Sequence, residues 1–232
     1  MFVLSAAPMA ATPSPSSIPV RPAVGKNPTA DKLLLAASEL MIASNSIEIS
    51  LSEIAQQSGV NAALVKYHFG NKEGLLLALL ERDAANEMTN LEYLLDQPIS
   101  ATAKLRLHIA GIIKAYNQFP YMNRLIHYLL HESSDKSADE VSKFFVRPLL
   151  SFHRRLLAEG QKTEEFRVVD PVLFYTSLIG ACDNLFFSRH AMSRATGVGP
   201  VTDDVCRAYV AHLETLLLDG MLTNKKVSAK AR

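Results

Sequence analysis

The sequence predicts an all-helical chain, and three observations support this. Apolar residues recur at three- and four-residue spacing through most of the 232 residues. No stretch alternates with the two-residue period of a strand, and no internal repeat is present. Residues that cap or break helices punctuate the apolar stripes at helix-length intervals.

Residues 1–26 are rich in Pro, Ser and Ala, with Arg21 and Lys26 their only charges. That composition buries too little to order itself and predicts a disordered arm. Its apolar start lacks the basic n-region and long apolar core of a secretory leader. Asn27 followed by Pro28 opens the first helix as cap and first-turn proline, and Leu33, Leu34, Ala37, Leu40 and Met41 form its stripe. Ser50 and Glu53 are spaced as a capping box for a second, short helix. Gly59 stops it where a left-handed residue is needed, and Asn61 caps a third. At 100° per residue, Val65 and Phe69 share one side of the third helix. Ala63, Leu64 and Tyr67 share the other, flanked by Lys66 and His68. No acid lies between Gln57 and Asn71. Two short helices about a glycine turn, the second presenting small side chains, a phenol and a lysine, make a helix-turn-helix suited to a major groove.

The segments LLLAA (Leu33 to Ala37), SLSEIA (Ser50 to Ala55), Gly59-Val60 and YHFGNKEGLL (Tyr67 to Leu76) together resemble the DNA-binding domain of the TetR family of transcriptional regulators. The likeness covers roughly Lys32 to Glu81. Asn45 and Ser46 stand where the family has Gly and an aromatic; Asn tolerates the left-handed turn, while the lost aromatic thins the local core. The resemblance implies phosphate or base contacts by Lys66, Tyr67 and Lys72, and a base edge facing Leu64. It also implies a ligand-binding C-terminal domain whose last two helices pair with a second subunit.

Asn71 caps a fourth helix, Lys72 to about Leu95, long enough to leave the first domain, and Gly74 permits a close backbone approach near its start. Asp96-Gln97-Pro98 breaks it. Ser100 caps a fifth helix to about Gln118, and a sixth spans roughly Tyr121 to Glu132. Ser137 with Glu140 suggests a capping box for a seventh reaching Gly160, kinked or split at Pro148. Asp170-Pro171 starts an eighth, running to about Ser193. Thr196 to Pro200 is a loop, and Thr202 starts a ninth ending at Gly220, before a basic tail. The expected organisation is therefore a disordered arm at 1–26, a three-helix DNA-binding domain at 27–73, a helical ligand-binding and dimerisation domain at 74–220, and a polar tail at 221–232.

With 48% hydrophobic and 20% charged residues and a net charge of +1, the chain reads as globular without a broadly basic surface, so any DNA contact must be local. Cys182 and Cys206 lie in apolar helical patterns and read as reduced core residues in a cytoplasmic protein. No apolar run spans a bilayer. His127 and His131 have metal-compatible spacing but no third ligand, so neither a metal nor a cofactor is expected. The expected DNA-contacting set is Ser50, Asn61, Ala62, Ala63, Leu64, Lys66, Tyr67, His68 and Lys72. Polar residues among the C-terminal apolar helices suggest a small-molecule site drawn from His108, Tyr116, Arg124, His127, Arg147, Tyr175, Asp183 and Asn184. The function expected is a homodimeric regulator, acting as a repressor released from a palindromic double-stranded operator by a small molecule. An all-helical enzyme is the alternative from another class, but no nucleophile elbow, P-loop or metal motif supports it. A ligand-independent DNA-binding protein is the third reading.

Overall fold

The computed structural model describes residues 27–197 and 201–222. The expected N-terminal arm and most of the basic tail lie outside them. Eleven α-helices follow in order among the described residues: α1 Pro28–Ser44, α2 Leu51–Ser58, α3 Ala63–Phe69, α4 Lys72–Leu95, α5 Ala101–Gln118, α6 Met122–His131, α7 Asp135–Val141, α8 Arg147–Lys162, α9 Pro171–Phe187, α10 Arg189–Thr196 and α11 Asp203–Met221. No strand forms among these residues; Phe166 and Leu222 make an isolated antiparallel bridge.

The first three helices close around an aliphatic core of Leu33, Ala37, Met41, Ile54, Val65 and Leu79, with α4 as the fourth wall. Their ends follow from local chemistry. Asn27 accepts from the Thr29 and Ala30 amides, and the Ser50–Glu53 capping box is complete in both directions. Gly59 turns left-handed at φ 66°. Gly74 serves a close contact: a Cβ there would lie 2.1 Å from the Phe69 carbonyl, so α3 can end against the start of α4 only because the side chain is absent. From there α4 runs about 36 Å into the body, where it packs on α5, α6, α7 and α8.

Three corrections concern the body. Helix α7 is capped by Ser134, not Ser137, because the Ser134 amide and hydroxyl both donate to Glu73 Oε1, at 2.7 and 2.6 Å, which anchors that residue to α4. Ser137 is instead a buried residue of α7. The helix does not simply kink at Pro148: a π-helical segment, Ser142–Val146, precedes α8, with the Arg147 amide bonded to the Ser142 carbonyl. That wider turn accommodates the missing amide and the bulk of the proline ring. The expected eighth helix is also two, α9 and α10, broken at Ser188. There the Ser188 hydroxyl takes the Asn184 carbonyl at 2.6 Å and Arg189 takes the Phe186 carbonyl at 3.2 Å, so side chains end the last turn.

Candidate nucleic-acid interface and ligand-domain core

Helix α3 is held by its inner side. Val65 is fully buried and Phe69 packs partly against the core, while the opposite side faces solvent: Tyr67 is 79% and Leu64 37% exposed, and Lys66 is exposed. Ala62 and Ala63 are exposed at its start, where Asn61 Oδ1 accepts the Ala63 amide at 2.8 Å. Lys72, opening α4, lies beside α2, close enough to help hold the Glu53 carboxyl below its ordinary range, after the larger effects of hydrogen bonds from the Ser50 side chain and amide. His68 is half-buried and turns toward Asn27, 3.5 Å from its amide nitrogen, while its ring meets Tyr67 edge-on at 4.9 Å. The set thus forms a small surface of one phenol, Leu64 with two alanines, exposed Lys66, half-buried Lys72 and the amide ends of α2 and α3. Such a surface can meet phosphates through charge and helix N-termini, and a thymine methyl through Leu64.

The residues expected around a ligand divide. His108 and Tyr116, both on α5, are buried, and Tyr175 on α9 is half-buried. His108 Nε2 lies 2.9 Å from Nε2 of His153 on α8, and Phe152, Phe174 and Tyr175 surround the two imidazoles. Burial, with His153 adding to it, holds His108 well below the usual histidine range; burial also lowers His153 to about 4. Both are therefore neutral, and their shared hydrogen bond leaves His153 Nδ1 without a partner. Tyr116 packs edge-on against Phe186, and burial raises its phenol. The other five lie elsewhere. His127 and Asp183 form a surface pair at 3.0 Å, Arg147 and Asn184 are exposed, and Arg124 donates to the Asn45 carbonyl across the domain boundary. Cys182 and Cys206 are buried free thiols, Cys182 raised to about 12 by burial and the nearby Asp183.

Sequence reasoning missed His153, although the α8 stripe Leu149, Phe152, His153, Leu156, Leu157 places it on the inner side. It also missed Asp83, which continues the α4 stripe Leu76, Leu79, Leu80 and is buried with them.

Residues 33–79 match the bacterial regulatory proteins of the tetR family, and residues 98–226 match the tetracyclin repressor-like C-terminal domain. Nucleoid occlusion factor SlmA of Klebsiella pneumoniae (strain 342) is 23% identical over 156 residues, covering 66% of this chain and 78% of that protein. The fatty acid degradation regulator FadR of Bacillus halodurans superposes with a TM-score of 0.67 at 21% identity, covering 84% of this chain and 97% of that one. FadR of Bacillus subtilis, in complex with stearoyl-CoA, superposes with a TM-score of 0.65 at 20% identity, covering 82% and 98%. Two domain matches in the expected order, the second spanning more than half the chain, agree with a core-anchored α3 at the surface. The chain belongs to the TetR family of DNA-binding transcriptional regulators.

Proposed function

We propose that this regulator is a homodimer that represses from a near-palindromic operator and is released when a small molecule enters the helical body. The observation that carries the DNA reading is α3, rigidly held by Val65 and free of acids, with Leu64, Lys66 and Tyr67 exposed. Pairing through α9 and α11 is supported by apolar side chains left at the surface, among them Leu173 at 69% and Leu216 at 60% exposure. Gly180 adds an open spot on α9 where a partner helix can approach closely. A dimer sets two α3 helices about one DNA turn apart, on the order of 34 Å. The effector site we favour lies between α5, α8 and α9, where His108, His153, Tyr116 and Tyr175 supply hydrogen-bonding groups in an aromatic core. Acyl-CoA thioesters are a sensible first probe, since the Bacillus subtilis FadR structure holds stearoyl-CoA. No described helix is long and apolar enough to cross a membrane, and we assign the protein to the cytoplasm, alongside DNA.

The test is a gel shift on a duplex selected from a random pool by the full-length protein. Lys66→Ala and Tyr67→Ala should each weaken binding about tenfold or more; unchanged binding removes α3 from the interface. A second reading, effector-independent DNA binding, draws on the match to a nucleoid occlusion factor and on the hydrogen bond that already joins His108 Nε2 to His153 Nε2. It is favoured if the duplex raises Tm while no compound in a panel does.

A further inference from the structure

Besides the Ser134 bonds to Glu73, the body grips the DNA-binding domain through one turn of chain, residues 120–124. Tyr121 is buried at the start of α6, and its hydroxyl donates a short hydrogen bond to Asp83 Oδ2 of α4. With its single proton given to Asp83, the Tyr121 oxygen accepts from the Ser38 hydroxyl of α1, 2.8 Å away. Arg82 holds the other Asp83 oxygen at 2.6 Å. Arg124, in the first turn of α6, donates to the Asn45 carbonyl at the left-handed end of α1. On the far side Arg189, at the α9–α10 break, donates to the Pro120 carbonyl at 3.3 Å. Side chains and backbone thus link α9 through this turn to the middle and the end of α1, and α1 packs on α2 and α3.

The turn also contains an unsatisfied group. Asn123 is buried, and its Oδ1 accepts the Arg124 amide at 2.8 Å, but its Nδ2 has no hydrogen-bond partner. A buried donor without an acceptor is unfavourable, so any shift that supplies one is favoured to that extent. Tyr121 and Arg124 oppose such a shift through their bonds to α1 and α4.

From this geometry we infer that residues 120–124 form a two-position latch. In the position seen, Tyr121 and Arg124 fasten α1 to the body and Asn123 is unsatisfied; in the other, Asn123 gains an acceptor and α1, carrying α3, is free to pivot. Tyr121 and Arg124 are then positioning residues for the DNA-reading helix, an inference that rests on the DNA-binding function. Coupling through the latch is reciprocal, so DNA held by α3 is felt at α6.

Amide hydrogen exchange on the full-length protein tests this in two arms. Without DNA, Tyr121→Phe keeps the ring and removes the hydroxyl. Amides from Ala37 to Ser44 should exchange roughly threefold faster or more while those from Phe152 to Leu157 are unchanged. Asn123→Leu, which removes the unsatisfied donor, should slow the same α1 segment. With a saturating duplex selected from a random pool, the wild type should change exchange from Met122 to Ile126 by a similar factor. That change should vanish in Tyr121→Phe although the duplex still binds. The latch is overturned if α1 exchange is unaltered in Tyr121→Phe, or if the DNA-induced change at α6 survives in it. Ser38→Ala replaces Tyr121→Phe should the latter fail to fold. If no duplex can be selected, the DNA-binding premise fails and the DNA-free arm alone decides the latch.

Discussion

The DNA-binding domain and the helical body use the same amphipathic helices but differ in what their interiors hold. Around Leu33, Met41, Ile54, Val65 and Leu79 the first interior is aliphatic except for Ser38, which bonds outward to Tyr121, while Asn27, Ser50, Asn61 and Asn71 sit at helix ends where they satisfy amides. The body instead buries Asp83, Lys104, His108, Asn123, Ser137 and His153. Lys104 is well provided for, bonded to the Leu95 carbonyl at 2.6 Å and to Glu159 at 2.7 Å. Asn123 and His153 are not, each keeping one unpaired nitrogen. A small domain with no buried unpaired side-chain nitrogen or oxygen among its described residues makes a rigid reader, whereas a body with incomplete hydrogen bonding has alternative arrangements within reach.

The contrast breaks most severely if the reader's core is opened. Ile54→Ala leaves a cavity under α2 and should cost about 2–5 kcal/mol, measured by urea denaturation, with duplex binding lost. In the body, acid is the sharper probe. The His153 value of about 4 lies below that of an unfolded histidine, so its contribution is complete above the ordinary histidine range and is lost as pH falls toward 4. The expected slope is about 1.4 kcal/mol per pH unit for one proton. Asp83, raised by burial, acts in the opposite direction. The comparison is therefore wild type against His108→Leu/His153→Leu, which should show the shallower pH dependence. Single His108→Leu strips His153 of its remaining partner and should cost about 1–3 kcal/mol at neutral pH, more than the double replacement. Ser50→Ala removes the capping box of α2 and should cost about 1 kcal/mol, visible as a lower Tm. Lys66→Ala should change stability by less than about 0.5 kcal/mol yet reduce the salt dependence of duplex binding by about one phosphate contact per subunit.

What was legible in the sequence was mostly local. Asn27-Pro28, Ser50 with Glu53, Asn71, Ser100, Asp170-Pro171 and Thr202 each signal a helix start within four residues, and each stands at one. The exposed side of α3 was legible for the same reason, since one helical period assigns Val65 inward and Tyr67 outward. The choice of Ser134 over Ser137 was not, because Glu73, some sixty residues earlier in the chain, decides it. Nor was the break at Ser188, where neither Gly nor Pro marks the end and Arg189 reaches back to do so. Of the expected ligand residues, helical spacing could separate inner from outer positions, but not which helices meet. His108 finds His153 only through the packing of α5 on α8.

The π segment between α7 and α8 fixes the angular phase of everything after it. Ser137, Val141, Phe145 and Leu149 all face inward at four-residue steps, a spacing an uninterrupted α-helix would let drift off the core. Deleting one residue from 142–146 would leave Val141 and Leu149 about two ordinary α-helical turns apart, so the π turn could relax to α with the phase of α8 kept, whereas inserting one more would turn α8 by about 100° against α7. After such an insertion Leu149, Phe152 and His153 could no longer face inward together with Val141, so in this stretch chain length carries more structural information than residue identity.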